Sequence, residues 1–199
     1  MPLRFSVNWD YRCPFARIVH RHVVEGLLDG ADWDVTFVPF SLGQVHVDEG
    51  ELPIWDRPDD DTGLLALQVA VVVRDQDPER FPLVHRAIFE ARHAEAAHIR
   101  DEAVLRELLA GQGVDPDPVF AEVATGKPLL TVRDEHTASV QDLDVWGVPT
   151  FMAEGRAAFV RLMDLPVDGA DARRQVEQVV DMLTGWPSLN EFKHTSLDR

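Results

Sequence analysis

The sequence predicts an α/β protein: one mixed sheet of order β-α-β … β-β-α, with an all-helical insertion between its two halves. Three observations carry this. The N-terminal ~40 residues change from a period of two to a helical period and back. A stretch of about eighty residues then holds helical spacing almost throughout. Strand signals return only after Gly147, as a short hairpin followed by one amphipathic helix. The corresponding segments are 1–42, 43–144 (linker and insertion) and 145–199.

Leu3, Phe5 and Val7 alternate with Arg4, Ser6 and Asn8, the pattern of a half-buried strand. From Pro14, apolar Phe15, Ile18, Val19, Val23 and Leu27 recur at helical spacing, and Gly30 is placed to end that helix. Trp33 to Phe40, rich in Val, Thr and Phe, reads as a second strand, parallel to the first through a right-handed crossover. Gly43 to Asp60 reads as irregular, and the acidic run Asp59-Asp60-Asp61 as a solvated loop or helix start. Leu64 to Arg74 is Val-rich, but acidic and proline-bearing flanks favour a buried helix over a strand.

Asp77-Pro78 reads as a cap and first helical residue for a helix through Phe81, Val84, Ile88 and Phe89. Asp101 and Asp115-Pro116 repeat the device for two further helices, with Gly111 and Gly113 as stop signals between them. A last insertion helix runs from about Leu129 to Leu143. Thr150 to Ala153 and Ala157 to Leu162 flank Glu154-Gly155-Arg156 as a hairpin, and Ala170 to Leu183 forms the closing helix. Trp186, Leu189 and Phe192 are expected to fold the tail back onto the body.

With 19 Lys and Arg against 35 Asp and Glu, the net charge is −16, which opposes nucleic-acid and anionic-membrane partners. Met1 to Asp10 has neither the basic region nor the apolar run of a secretory signal, so the expected location is the cytoplasm. No apolar run approaches the roughly 20 residues that cross a bilayer. One cysteine excludes an intrachain disulfide, a dithiol pair and a cysteine-rich zinc module. His20 and His22 are two apart and His93 and His98 five apart, poor spacings for shared ligation, so no metal site is expected. Gly111-Gln112-Gly113 follows a helix, not a strand, and is no phosphate loop.

That cysteine lies in Trp9-Asp10-Tyr11-Arg12-Cys13-Pro14-Phe15-Ala16-Arg17. With Pro14 as the first helical residue, Cys13 takes the N-cap, where backbone N–H groups and the helix dipole lower a thiol pKa. The two readings of Cys13 are an activated nucleophile and a small buried apolar residue. A second motif, Trp146-Gly147-Val148-Pro149-Thr150-Phe151, opens the returning hairpin.

Together Cys13-Pro14, the helical segment His85 to Gly113 and Gly147-Val148-Pro149-Thr150-Phe151 resemble the DsbA-like branch of the thioredoxin superfamily, in which a thioredoxin-like sheet carries a helical insertion. The resemblance implies a cis-proline at Pro149 facing the catalytic thiol Cys13, with Val148 presenting backbone groups to substrate. The departure is Ala16, where family disulfide exchangers carry a second cysteine. A mixed disulfide on Cys13 would therefore need an external thiol for release.

The resemblance thus implies a monothiol oxidoreductase with no tightly bound cofactor and with glutathione or mycothiol as co-substrate. The tail Trp186-Pro187 with Glu191-Phe192-Lys193 is similar to that of mycothiol-dependent reductases. The alternatives are a transferase or isomerase like the kappa-type glutathione transferases and hydroxychromene carboxylate isomerases, a thiol sensor, or a binding protein that keeps the fold. The expected ligand is a small thiol or a hydrophobic molecule; monomer and homodimer both remain open.

Around Cys13, Trp9, Tyr11, Phe15 and Trp146 read either as walls of an apolar substrate pocket or as core. Arg17, one turn into the helix, is a candidate to favour the thiolate. Asp10 is a candidate to oppose it or to move a proton, against the blander reading of a solvated loop carboxylate.

Overall fold

The computed structural model describes residues 1–60 and 63–194. Strand β1 (Leu3–Trp9) leads through α1 (Pro14–Leu28) to β2 (Trp33–Pro39). A one-turn helix α2 (Leu42–Val45) and two 3-10 turns, Ile54–Asp56 and Pro58–Asp60, follow. The insertion comprises α3 (Leu64–Gln76), α4 (Phe81–His93), α5 (Glu102–Gly111), α6 (Pro116–Val123) and α7 (Lys127–Leu143). β3 (Thr150–Ala153), β4 (Arg156–Phe159) and α8 (Gly169–Gly185) complete the chain.

The sheet has the order β2-β1-β3-β4. β1 pairs parallel with β2 and antiparallel with β3, which pairs antiparallel with β4. The period-two alternation of β1 sends Phe5, Val7 and Trp9 into the core, with Arg4 exposed. α1 and α8 pack together, α8 also covers β3 and β4, and α7 lies beside β2. Outer-edge strand β2 is tied down by Arg74 of α3, whose Nη1 donates to Phe37 O (2.8 Å) while its guanidinium forks onto Glu135 of α7 (2.7 and 2.8 Å).

The Val-rich segment is a helix because it runs through the middle of the insertion, touching α4, α5, α6 and α7. An all-round apolar helix is what such a position requires. Asp101 and Asp115 cap α5 and α6 as expected, accepting from Ala103 N–H (2.9 Å) and Asp117 N–H (3.1 Å).

Four expectations need correction. Asp77-Pro78 does not open α4: Asp77 ends α3 and accepts from Arg80 N–H in a turn, and the helix starts at Phe81 with Pro82 in its first turn. The supposedly irregular 43–60 contains α2 and the two 3-10 turns; Asp61 of the acidic run lies outside the described residues. β4 stops at Phe159: Val160 N–H still donates to Pro149 O opposite it (3.0 Å), but Pro149 has no N–H with which to carry the pairing on. Trp186 and Phe192 are exposed, so these two rings do not pack back on the body, and of the three residues only Leu189 is half-buried.

Gly26 sits on the buried face of α1, where a Cβ would overlap the six-membered ring of Trp33. Alanine in an exposed helix would gain up to about 1 kcal/mol over glycine. Here Gly26→Ala is expected to destabilise by about 1–2 kcal/mol, since a ring pinned between strand and helices moves only at the cost of overpacking. Urea unfolding of the variant measures this, and increased stability would contradict it.

Candidate active site

The thiol sits at the junction of β1 and α1. Asp10 O accepts from Cys13 N–H (3.1 Å), forming a turn that reverses the chain as it leaves the sheet. Pro14 then supplies the first helical residue, and Cys13 is the N-cap in extended conformation (φ −87°, ψ 117°). Its sulfur does what a Ser or Asp oxygen does at other caps: Ala16 N–H points at Sγ (3.5 Å).

Opposite lies the loop 147–149, in which the Val148–Pro149 peptide is cis. The Cys13 S–H donates to Val148 O (3.5 Å). The loop is held from β1 by Asn8, which is fully buried. Its Nδ2 donates to Gly147 O (3.0 Å) and its Oδ1 accepts from Thr150 N–H (2.6 Å). Asn8 thereby extends the β1–β3 ladder by one side-chain rung at the point where the backbone leaves for the proline loop.

Behind the thiol runs a buried chain: Tyr11 Oη to His85 Nδ1 (2.7 Å), His85 Nε2 to His20 Nδ1 (2.9 Å), and His20 Nε2 to Asn8 O (2.9 Å). Burial holds Tyr11 well above its ordinary pKa, His85 well below, and His20 down at about 4. All three are neutral at pH 7, so the chain has one direction. The Asn8 carbonyl can only accept, so His20 carries its proton on Nε2; its Nδ1 then accepts from His85 Nε2–H, and His85 Nδ1 accepts from Tyr11 O–H. His93 on α4 also meets Tyr11 O (2.8 Å), so both ends of Tyr11 are clamped to α4.

These positions revise the expected roles. Trp9 and Tyr11 have no accessible surface and back the site instead of walling a pocket. Phe15 is half-buried, and Trp146 is 65% exposed with its ring 4.5 Å from that of Phe159. Arg17 does not serve the thiol: it binds Glu90 of α4 (2.6 Å), which also takes Arg21 (3.1 Å). Burial would raise the Glu90 pKa, but the two arginines outweigh it and hold it low, which pins the insertion to α1.

Asp10 is a buried carboxylate, 1% exposed, and not a solvated one. It pairs with Arg12 (3.1 Å) and accepts from Arg12 N–H (2.8 Å) and Leu42 N–H (2.7 Å), so it organises the turn.

The Cys13 pKa also departs from expectation. Burial pushes it up, above the ordinary thiol value; the Ala16 and Phe15 N–H groups pull it down, Asp10 pushes it up and Arg161 pulls it down. Desolvation wins because only 8% of the residue is exposed. The thiol at rest is protonated and hydrogen-bonded. Arg161, just past β4, is the cation that reading the sequence missed, since nothing in the spacing brings it to α1. A groove of about 1030 Å³ runs along the outer edge of β2 beside Arg74 and Glu135, and none of the site residues lines it.

The fold and this site define a thioredoxin-like domain with a single thiol at its first helix. Residues 6–180 match the family model of the DSBA-like thioredoxin domain, and the chain belongs to that family. No curated protein matches the sequence. Among solved structures, the cytosolic disulfide reductase DsbM from Pseudomonas aeruginosa with GSH superposes with a TM-score of 0.61 at 18% identity, covering 89% of this chain and 99% of that one. ScsC from Proteus mirabilis gives 0.61 at 15% identity, covering 94% and 86%. The oxidoreductase DsbA from Xylella fastidiosa gives 0.59 at 18%, covering 90% and 85%. At these identities the likeness is one of fold. Among the described residues no helix is long and apolar enough to cross a membrane.

Proposed function

We propose that the protein is a cytoplasmic monothiol thiol–disulfide oxidoreductase with Cys13 as its nucleophile. The observation that carries the proposal is the meeting of the chain's one thiol with a helix N-terminus and, 3.5 Å away, the carbonyl of the residue before the cis-proline. The Cys13 thiolate attacks a disulfide R′–S–S–R, forming Cys13–S–S–R and releasing R′–S⁻, which takes a proton from water. A thiolate R–S⁻ of the small-thiol pool then attacks the outer sulfur, that of R, forming R–S–S–R and expelling Cys13 as the thiolate. Ala16 leaves no internal thiol to compete for that step. Glutathione is the favoured pool thiol, since a fold neighbour is a cytosolic disulfide reductase described with GSH. Val148 and Pro149 align the bound sulfur, and Phe15 and Trp146 flank it.

The protonated resting thiol favours a second reading, a binding protein that keeps the fold. Turnover separates the two. With glutathione and bis(2-hydroxyethyl) disulfide, the oxidoreductase reading expects catalysis that Cys13→Ser reduces to background. Its rate should climb with pH through a midpoint above that of a free cysteine, because burial raises this thiol. Equal rates for wild type and Cys13→Ser would favour the binding protein.

A further inference from the structure

Arg161 is exposed and stands at the rim of the thiol site. Its backbone is placed by its neighbour: Val160 N–H donates to Pro149 O (3.0 Å), so the residue after it emerges beside the cis-proline. The guanidinium lies over the Phe15 ring at 4.9 Å and near the Phe159 ring at 5.9 Å. Phe15 is two residues beyond Cys13 in the first turn of α1, and Phe159 packs at a tilt on Trp146, at the start of the proline loop. Arg161 thus spans the two walls between which a ligand sulfur must approach. No carboxylate of the described residues pairs with it, unlike Arg17, Arg21, Arg74 and Arg86.

A guanidinium that rests over an aromatic ring spends none of its N–H donors on that contact and keeps them for an anion. The rest of the chain makes this matter: with a net charge of −16, an anionic co-substrate is repelled by the overall field and needs a local cation to approach the sulfur. Asp10, the anion nearest the thiol, is already paired with Arg12.

We infer that Arg161, braced on Phe15 and Phe159, binds a carboxylate of the small thiol that exchanges with Cys13, selecting a carboxylate-bearing thiol such as glutathione over an uncharged sugar thiol such as mycothiol. This rests on the oxidoreductase reading above and adds the co-substrate class to it. Arg161 is a specificity residue here; the reacting sulfur is that of Cys13.

The test compares the rates of mixed-disulfide formation on Cys13 with two probes, anionic oxidised glutathione and uncharged bis(2-hydroxyethyl) disulfide, each at the same pH. Removing Arg161 also changes the thiol pKa, but that affects both probes alike, so the ratio between them isolates recognition. Arg161→Gln should slow the anionic probe about five- to tenfold more than the neutral one. Arg161→Lys should recover part of the difference, and ~0.5 M salt should shrink it in the wild type. An equal loss with both probes, or no loss, overturns the inference while leaving the oxidoreductase reading intact. A wild-type Cys13 that reacts with neither probe overturns both.

Discussion

Acidification from pH 7 to about 4.5 is expected to remove most of the protein's stability, with the loss setting in near pH 6.5, above the range in which carboxylates ordinarily titrate. The cause is three histidines folded as neutral groups. Burial lowers His20 to about 4 and His136 to about 4, and it holds His85 well below its ordinary value of 6.5. His136 accepts from Ser41 N–H (3.3 Å) and packs on Phe40, and His20 and His85 are locked in the Tyr11 chain, so none can accept a proton without losing a hydrogen bond. The unfolded chain takes up these protons near pH 6.5, whereas in the folded chain His20 and His136 do so only at about pH 4 and His85 only well below its ordinary value. The stabilisation is therefore fully present above about pH 6.5 and is lost as the pH falls toward 4. For His20 and for His136 the loss is about 3 kcal/mol each, against a typical total of 5–15 kcal/mol. Urea unfolding at a series of pH values should give a plateau above neutrality and a steep fall between pH 6 and 4.5. A flat profile through that window would contradict the neutral assignment.

Asn8→Ala is expected to damage both stability and chemistry. It leaves Thr150 N–H buried without its acceptor at 2.6 Å, whereas Gly147 O keeps the Thr150 hydroxyl (2.8 Å). One orphaned backbone donor and the emptied side-chain volume should together cost on the order of 2–3 kcal/mol. For a chain of this size that lowers Tm by roughly 4–12 °C. The loop 147–149 loses its tie to β1, so Val148 O no longer stands at a fixed distance from Cys13, and exchange should slow beyond what the unfolded fraction explains. Asn8→Asp serves as the second variant: it keeps the acceptor for Thr150 N–H but sets a charge against Gly147 O, and it should be at least as disruptive. Calorimetry and the turnover assay, both well below Tm, measure the two effects. Unchanged turnover in a folded Asn8→Ala protein would remove Asn8 from the site.

The legible parts of this molecule were those governed by local spacing. The alternation of Leu3, Phe5 and Val7, the Cys13-Pro14 cap and the aspartate caps at Asp101 and Asp115 each depend on neighbours within a turn or a strand, and each is observed. Asp77-Pro78 had the same local signature and failed because the preceding helix claimed Asp77 as its end.

The site was legible as a pair of motifs and not as a network. Asn8 and Gly147 are 139 residues apart, Tyr11 and His85 are 74 apart, and Arg17 meets Glu90 across 73. No periodicity links such positions. The same limit explains the thiol: the helix N-terminus that lowers its pKa is written in the sequence, but the burial that raises it further is a property of the packed loop and insertion. Trp9 and Tyr11 read as pocket or core for the same reason, and only the assembled fold decided for core.

The account centres on Cys13 forming a disulfide with a small thiol, and the intact mass of the protein tests that most directly. The reduced protein is incubated with oxidised glutathione at neutral and alkaline pH, then with excess reduced thiol, in parallel with Cys13→Ser. The expected result is one glutathione unit on the wild type, more rapidly acquired as the pH rises, removed by added thiol, and absent from Cys13→Ser. A wild type that gains no adduct at any pH, while a small alkylating reagent still modifies Cys13, would contradict the account.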